Sequence, residues 1–249
     1  MRVPRVFQDQ TLAVDQQLIL DERATKHLVQ VLRFGVGREI ILFNGLGGEY
    51  HAKLIEATKK KAIAHVTNFV NANREPDIRI HLGQCISKGD RFEFAIQKSV
   101  ELGVHTITPI FSHRSQLKLN NERKEKKLKH WQQIALSACE QSGRTHPVIF
   151  NEPVYLNNFL AETSSQPEHK MLLHPTCDLS LSENLLAQKN NNTQAYRLLI
   201  GPEGGFDDDE LNLAEQKSFN KVKLGNQVLR TETAPIAAIS AIFALENIF

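Results

Sequence analysis

The sequence predicts an α/β protein: a parallel sheet covered by helices, preceded by a small N-terminal β-barrel. Three observations predict it. Short, partly alternating runs separated by turn signals fill residues 1–72. After the polar stretch 71–77, which contains Pro76, the rhythm changes to buried apolar runs alternating with amphipathic helices. A chain of 249 residues suffices for one large domain or two of modest size. The domain boundaries are therefore set at 1–72 and 73–249.

In chain order, Gln17–Leu20, Glu39–Phe43, Glu49–Glu56 and Lys61–Phe69 read as strands, with Asn44-Gly45-Leu46-Gly47-Gly48 as a turn between two of them. One helix interrupts them over Asp21–Arg33, with Leu28, Val31 and Leu32 on one face. In the second part Arg79–Ile86 and Val104–Phe111 read as strands. Between them Asp90 is expected to N-cap a helix, with Glu93 completing a capping box. Asn121–Ser142 is a long helix whose Leu128, Trp131, Ala135, Ala138 and Cys139 recur at helical spacing. Lys170–His174, Arg197–Ile200 and Val222–Leu224 are short strands. Asp207 opens a helix, and an apolar terminal helix begins near Pro235.

Composition narrows the class. Three cysteines, at 85, 139 and 177, are too few and too scattered for a disulfide framework, so a reducing cytoplasm is expected. No Cys or His pair has zinc-site spacing, and no structural metal is expected. The N-terminal MRVPRVFQDQ lacks the apolar core of a signal peptide. The longest apolar-leaning stretch without a charge, Thr233–Leu245, is shorter than the roughly 18 residues a membrane span requires. A soluble protein with no membrane partner is expected.

The net charge of +2 conceals a split: +3 over residues 1–72, +5 over 73–150 and −6 over 151–249. Such a split suits a polyanion held on one side and different chemistry on the other, although charge alone leaves chance open.

The strongest local signal is Leu198-Leu199-Ile200-Gly201-Pro202-Glu203-Gly204-Gly205-Phe206, followed by Asp207-Asp208-Asp209-Glu210. A buried strand runs into a glycine turn and then a capped helix, at the carboxyl end of a strand, where ligands of open α/β sheets bind. It matches neither a dinucleotide fingerprint nor a P-loop, and a tight connection with no ligand stays open. The acidic run reads as a capping box, Asp207 with Glu210, rather than a metal site. A second signal is the polar loop Leu224-Gly225-Asn226-Gln227-Val228-Leu229-Arg230-Thr231-Glu232-Thr233-Ala234, placed before the apolar helix. Thr231 and Thr233 could simply cap that helix, but Arg230 and Glu232 need partners or water. Basic residues form a third group: Arg23, Lys26 and Arg33 with Gln30 on the first helix, and Lys118, Arg123, Lys124, Lys126, Lys127 and Lys129 near the long one. Such clusters supply phosphate contacts or simply solvate a helix face. No HExxH or GxSxG is present, which disfavours a metalloprotease and a serine hydrolase.

These residues carry a resemblance. His27-Leu28-Val29-Gln30-Val31-Leu32-Arg33, Lys88-Gly89-Asp90-Arg91, Gln97-Lys98-Ser99-Val100-Glu101-Leu102-Gly103-Val104, Glu140-Gln141-Ser142-Gly143-Arg144, Ile200–Phe206 and Leu229–Ala234 together span both expected domains in order. The set resembles the bacterial 16S rRNA (uracil-N3)-methyltransferase family of the SPOUT superfamily. Pro235 and Ser240 depart from the family pattern, where Ala or Leu is usual, and touch only the helix after the motif.

The resemblance implies an N-terminal PUA-like RNA-binding barrel and a SPOUT α/β-knot catalytic domain. It also implies S-adenosylmethionine (SAM) as methyl donor, a homodimer, and N3 of one uridine of 16S rRNA, within the assembled 30S subunit, as target. The cofactor pocket would take Leu173 and His174 from one loop, Ile200, Gly201, Pro202, Glu203, Gly204 and Gly205 from the glycine turn, and Leu224, Leu229, Arg230, Thr231 and Thr233 from the last loop. Glu232 would accept the N3 proton, or only fix the loop, while Arg230 or Arg144 holds the uracil oxygens or a phosphate. RNA contacts are assigned to Arg2, Arg5, Arg23, Lys26, Arg33, Lys88, Arg91, Arg114 and Arg144. The alternatives are a non-catalytic ribosome-assembly protein, which has no need of the glycine turn and the LRTETA loop, and a Rossmann-type methyltransferase, whose glycine loop would normally come earlier.

Overall fold

The computed structural model describes residues 3–115, 121–162, 167–188 and 194–248. Two compact units are formed, Met1–Glu75 with Leu136–Pro147, and Pro76–Ala135 with Val148–Phe249.

The first unit is a five-stranded mixed sheet of β1 (Arg5–Phe7), β2 (Gln17–Ile19), β3 (Glu39–Phe43), β4 (Glu49–Ala57) and β5 (Ala62–Val70), in the order β1-β3-β4-β5-β2. Only the β1–β3 pair is parallel. The pleat alternates side chains, so Ala52 and Leu54 of β4 and Ala62, Ala64 and Val66 of β5 face a core shared with Leu18, Leu28, Ile40 and Leu42. Gly48 makes the β3–β4 turn possible: its φ is +68°, and a Cβ there would lie 2.3 Å from the Phe69 ring. At three residues, β1 is too short to carry an alternation signal.

The expected single helix over Asp21–Arg33 is two pieces. Asp21 caps α1 (Glu22–Thr25), its carboxylate accepting the Ala24 N–H at 2.6 Å, and a π-helical turn, Lys26–Val31, follows. Widening the turn changes which side chains share a face. Leu28 is fully buried, but Val31 and Leu32, expected beside it, are 63% and 39% exposed.

The second unit is a parallel sheet of β6 (Arg79–Cys85), β7 (Thr106–Phe111), β8 (Ile149–Phe150), β9 (Val154–Tyr155), β10 (His169–Leu173), β11 (Ala195–Ile200) and β12 (Asn220–Val222). The order is β12-β10-β11-β6-β7-β8, with β9 also on β7. Thus β11 lies between β6 and β10, two strands that precede it in the chain. Near-continuous burial along β6, β7 and β11 is what a sheet covered on both faces requires. On one face α4 (Leu156–Ala161) and α6 (Asp208–Gln216) close a core of Cys85, Ile110, Phe159, Leu172, Leu199, Phe206 and Phe219. The helices α2 (Asp90–Glu101) and α5 (Leu181–Gln188) pack on α7 (Thr233–Leu245). Trp131, on the long helix α3 (Asn121–Ser142), stacks edge-on against Phe92 of α2 at 4.7 Å.

Two expected boundaries shift. Asp90 is the first helical residue of α2 rather than its cap; Gly89 occupies the N-cap without a side-chain bond, so no capping box forms. Glu93 instead faces Lys127 and His130, at 3.4 and 3.1 Å. The last strand lies at Asn220–Val222, two residues before its expected place. The box at Asp207 is present, with the Asp207 side chain accepting the Glu210 N–H at 2.9 Å and Glu210 accepting the Asp207 N–H at 3.1 Å. Among the described residues no helix is long and apolar enough to cross a membrane.

Candidate active site

Parallel strands aim their carboxyl ends at one edge of a sheet, and ligands bind there because the loops are free to shape themselves around a guest. In the second unit β10 ends at Leu173, β11 at Ile200 and β12 at Val222. The segments leaving these three ends enclose a cavity of about 590 Å³, within the size range of cofactor pockets.

The first wall is Leu173–Thr176. The His174 N–H donates to the Val222 carbonyl at 2.9 Å, which ties this segment to β12. Burial, and then the nearby charge of Lys221, holds the His174 ring below the usual histidine range. The second wall is the turn Gly201–Phe206, closed by the Gly205 N–H donating to Pro202 O at 2.9 Å. Gly205 has φ +68°, a conformation that strains other residues. Two arginines brace the turn: Arg91 from α2 pairs with Glu203 at 3.0 Å, and Arg114 donates to Gly204 O at 2.9 Å. The third wall includes Val222–Leu224 and Gln227–Thr231. Its end is fixed by the Thr233 and Ala234 N–H groups donating to Arg230 O at 2.9 and 3.0 Å, where α7 starts.

Leu173, His174, Ile200, Gly201, Pro202, Glu203, Gly204, Gly205, Leu224, Leu229, Arg230 and Thr231 all line this cavity. Thr233 does not; it is exposed in the first turn of α7. Glu232 is not a lining residue either. It occupies the N-cap of α7 without capping it, and its Oε2 is buried with no hydrogen-bond partner among the described residues.

The residues expected at RNA are dispersed. Arg91 and Arg114 line the cavity, and Lys88 is exposed in the same unit. In the first unit Lys26 and Arg33 are exposed, Arg23 is forked onto Glu140 at 2.8 and 2.9 Å, and Arg5 is buried in an ion pair with Glu49. Arg144 also belongs to the first unit, buried against Glu75 at 2.6 Å, whereas Arg230 is in the second. Arg2 and Lys118 lie outside the described residues. Sequence reasoning missed Gln84, a buried β6 residue joined to Thr231, because a single glutamine in a strand carries no motif. Pro175, Thr176 and Lys223 were not singled out, their signal being only their place beside strand ends, while Gln227 and Val228 belong to the loop the sequence had marked.

The walls suit a nucleoside-bearing cofactor. Leu173, Ile200, Leu224 and Leu229 supply apolar surface, and the two loops offer main-chain hydrogen bonds. A Cβ on Gly204 would meet only the Arg114 side chain, at 3.6 Å, so the backbone there is open to close approach. Among the described residues no group of three His, Cys, Asp or Glu side chains is placed to hold a metal ion.

The family model described as an RNA methyltransferase domain matches residues 73–243, and that of an RNA methyltransferase PUA domain matches residues 20–67. Fold and site therefore define an RNA methyltransferase with a PUA domain before its methyltransferase domain. Relatives narrow the class. The chain is 35% identical to the ribosomal RNA small subunit methyltransferase E of Buchnera aphidicola subsp. Schizaphis graminum, over 97% of this chain and 96% of that one. It is 31% identical to the Bacillus subtilis protein of the same name, over 87% and 85%. The Neisseria gonorrhoeae ribosomal RNA small subunit methyltransferase E, solved with S-adenosyl methionine bound, superposes with a TM-score of 0.88 at 34% identity, covering 98% of both chains. A Legionella pneumophila protein solved with bound SAM superposes at 0.91 and 38% identity, again over 98% of both. The chain belongs to the ribosomal RNA small subunit methyltransferase E family.

Proposed function

We propose that this protein transfers a methyl group from SAM to N3 of one uridine in 16S rRNA, in the assembled 30S subunit, as a cytoplasmic homodimer. The observation that carries this reading is the cavity at the carboxyl ends of β10, β11 and β12, in a chain whose relatives are solved with SAM bound. When bound, SAM supplies an activated methyl group on a sulfonium centre.

This chain's residues then have two tasks. They align the acceptor nitrogen with the methyl carbon, which recovers much of the barrier through orientation alone. They also remove the N3 proton, since the N3 lone pair is otherwise delocalised into the ring. With SAM bound, its methyl would pass to N3 and it would depart as a neutral thioether, while a base of this chain takes the N3 proton. Glu232 is that base. One of its carboxylate oxygens, Oε2, has no hydrogen-bond partner among the described residues and so is not committed elsewhere. Arg230, on the cavity wall, neutralises the charge that builds on the uracil oxygens. The exposed cations Lys26, Arg33 and Lys88 hold phosphates, as do Arg91 and Arg114 on the cavity wall.

Incubation with methyl-labelled SAM and either naked 16S rRNA or 30S particles tests this directly. Labelling of 30S particles, mapped to uridine N3, is expected. Absence of label from both substrates would overturn the catalytic reading in favour of a non-catalytic assembly protein. In the same assay Glu232→Gln is expected to cut single-turnover rate about 100-fold or more with SAM affinity nearly unchanged. A near-normal rate removes Glu232 from the proton path.

A further inference from the structure

Gln84 is the penultimate residue of β6, only 1% exposed, between the buried Gly83 and Cys85. It pairs in register with Ile200, the last residue of β11 before the glycine turn. Its Nε2 donates to the Thr231 hydroxyl at 3.0 Å, across 147 residues of sequence, and the Thr231 hydroxyl donates to the Gly201 carbonyl at 2.7 Å. The direction of this relay is determined. A threonine hydroxyl has one proton, here committed to Gly201, so its oxygen needs a donor, and an amide supplies one where a carboxylate cannot.

Burying an amide in a parallel sheet is costly unless both ends are bonded. The Nε2 end is used, while Oε1 is buried with no partner among the described residues. A side chain present only to fill space at this position would be apolar, as Leu82 and Ile86 are. The fold therefore tolerates an orphan carbonyl in order to keep a donor at Thr231. What the donor holds is the third wall of the cavity against the second: Thr231 sits between Arg230 and Glu232, and Gly201 begins the glycine turn.

We infer that Gln84 is a positioning residue for methyl transfer: acting through the Thr231 hydroxyl, it sets the spacing between the glycine turn and the Leu224–Arg230 loop at which the methyl donor binds. The inference rests on the cavity being the SAM site. Gln84 lines no part of the cavity and acts only through Thr231.

The test is a double-mutant cycle read by SAM calorimetry, methyl-transfer kinetics and urea unfolding. Gln84→Met keeps volume and removes the donor, and Thr231→Val keeps shape and removes the relay. Each is expected to weaken SAM binding about tenfold and raise KM for SAM to match, with a smaller change in kcat. The double variant is expected to bind no more weakly than either single one, because one relay has been cut twice. Thr231→Ser, which keeps the hydroxyl, is expected to recover most of the affinity lost in Thr231→Val. Gln84→Glu is expected to behave like Gln84→Met. Unchanged affinity in Gln84→Met, effects that multiply in the double variant, or a Thr231→Ser protein as weak as Thr231→Val would each overturn the inference. If Gln84→Met does not fold, Gln84→Glu, which keeps the shape and removes the amide donor, decides the matter in its place. Failure of the unmodified protein to bind SAM is a different result, which removes the functional reading itself.

Discussion

At the scale of single residues the clearest energetic feature is Glu49, at the start of β4. Its carboxylate is 4% exposed and takes bonds from Arg74, at 3.1 Å to Oε1, and from Arg5. The bonds from Arg74, reinforced by Arg5, outweigh desolvation and bring its pKa down to about 2 from 4.5. A folded-state pKa below the unfolded value means stability that is complete above about pH 4.5 and lost as pH falls through about 2. Glu49→Gln leaves two arginines without their acid and is expected to cost about 3 kcal/mol at neutral pH. Urea unfolding at a series of pH values checks this: the variant lacks the part of the acid-induced loss that the native protein shows across that window. Arg5, assigned to RNA from its charge, is committed to this pair, which no reading of local sequence could reveal, since its partner lies 44 residues away.

At the scale of elements, the glycine turn separates two requirements that look alike in sequence. Gly205 needs its left-handed backbone, whereas Gly204 has room for a side chain, its added Cβ meeting only Arg114 at 3.6 Å. Gly204→Val is therefore expected to leave the far-ultraviolet circular dichroism unchanged while weakening SAM binding at least about tenfold in calorimetry. Unaltered affinity would show that the cofactor does not approach this backbone. Elements with strong local signals were legible: the parallel strands β6, β7, β10 and β11, the glycine turn after β11 and the Asp207–Glu210 box. Those decided by competition between local and distant contacts were not. The π-helical turn at Lys26–Val31 exposes Val31 and Leu32, which α-helical spacing places with Leu28. Gly89 takes the cap that Asp90 was expected to hold, and Glu93 faces Lys127 and His130 rather than turning back toward the helix start.

At the scale of the whole molecule, charge is divided along the chain: +8 over residues 1–150 against −6 beyond. Much of the acidic excess is local to helix starts, Asp207–Glu210 above all, where it favours the positive end of the helix dipole. Part of the basic excess is internal, since Arg5, Arg23, Arg74 and Arg144 are paired with Glu49, Glu140 and Glu75. The remaining exposed cations, Lys26, Arg33 and Lys88 among them, are the ones proposed to hold RNA phosphates. Raising monovalent salt from about 50 to 200 mM is expected to weaken rRNA binding by at least about tenfold. Calorimetric affinity for SAM, set by short-range contacts within the cavity, is expected to move little. Equal sensitivity of the two would place the cations at the cofactor rather than at the RNA.

By itself the sequence determined the division into a strand-rich first part and a parallel α/β second part, the glycine turn at a strand end, and the loop from Leu224 to Ala234. All of these follow from periodicity, glycine and caps, which act over a few residues. Membership in a methyltransferase family was readable for the same reason: its motifs are contiguous. Only the tertiary structure decided which charged and polar groups remain available. It joined Gln84 to Thr231 and Gly201, placed Arg144 and Arg230 in different units, and withdrew Arg5 into the Glu49 pair. Buried polar groups take whatever partner the packed chain brings within about 3 Å. That proximity is set by how the strands are ordered in the sheet, not by distance along the chain.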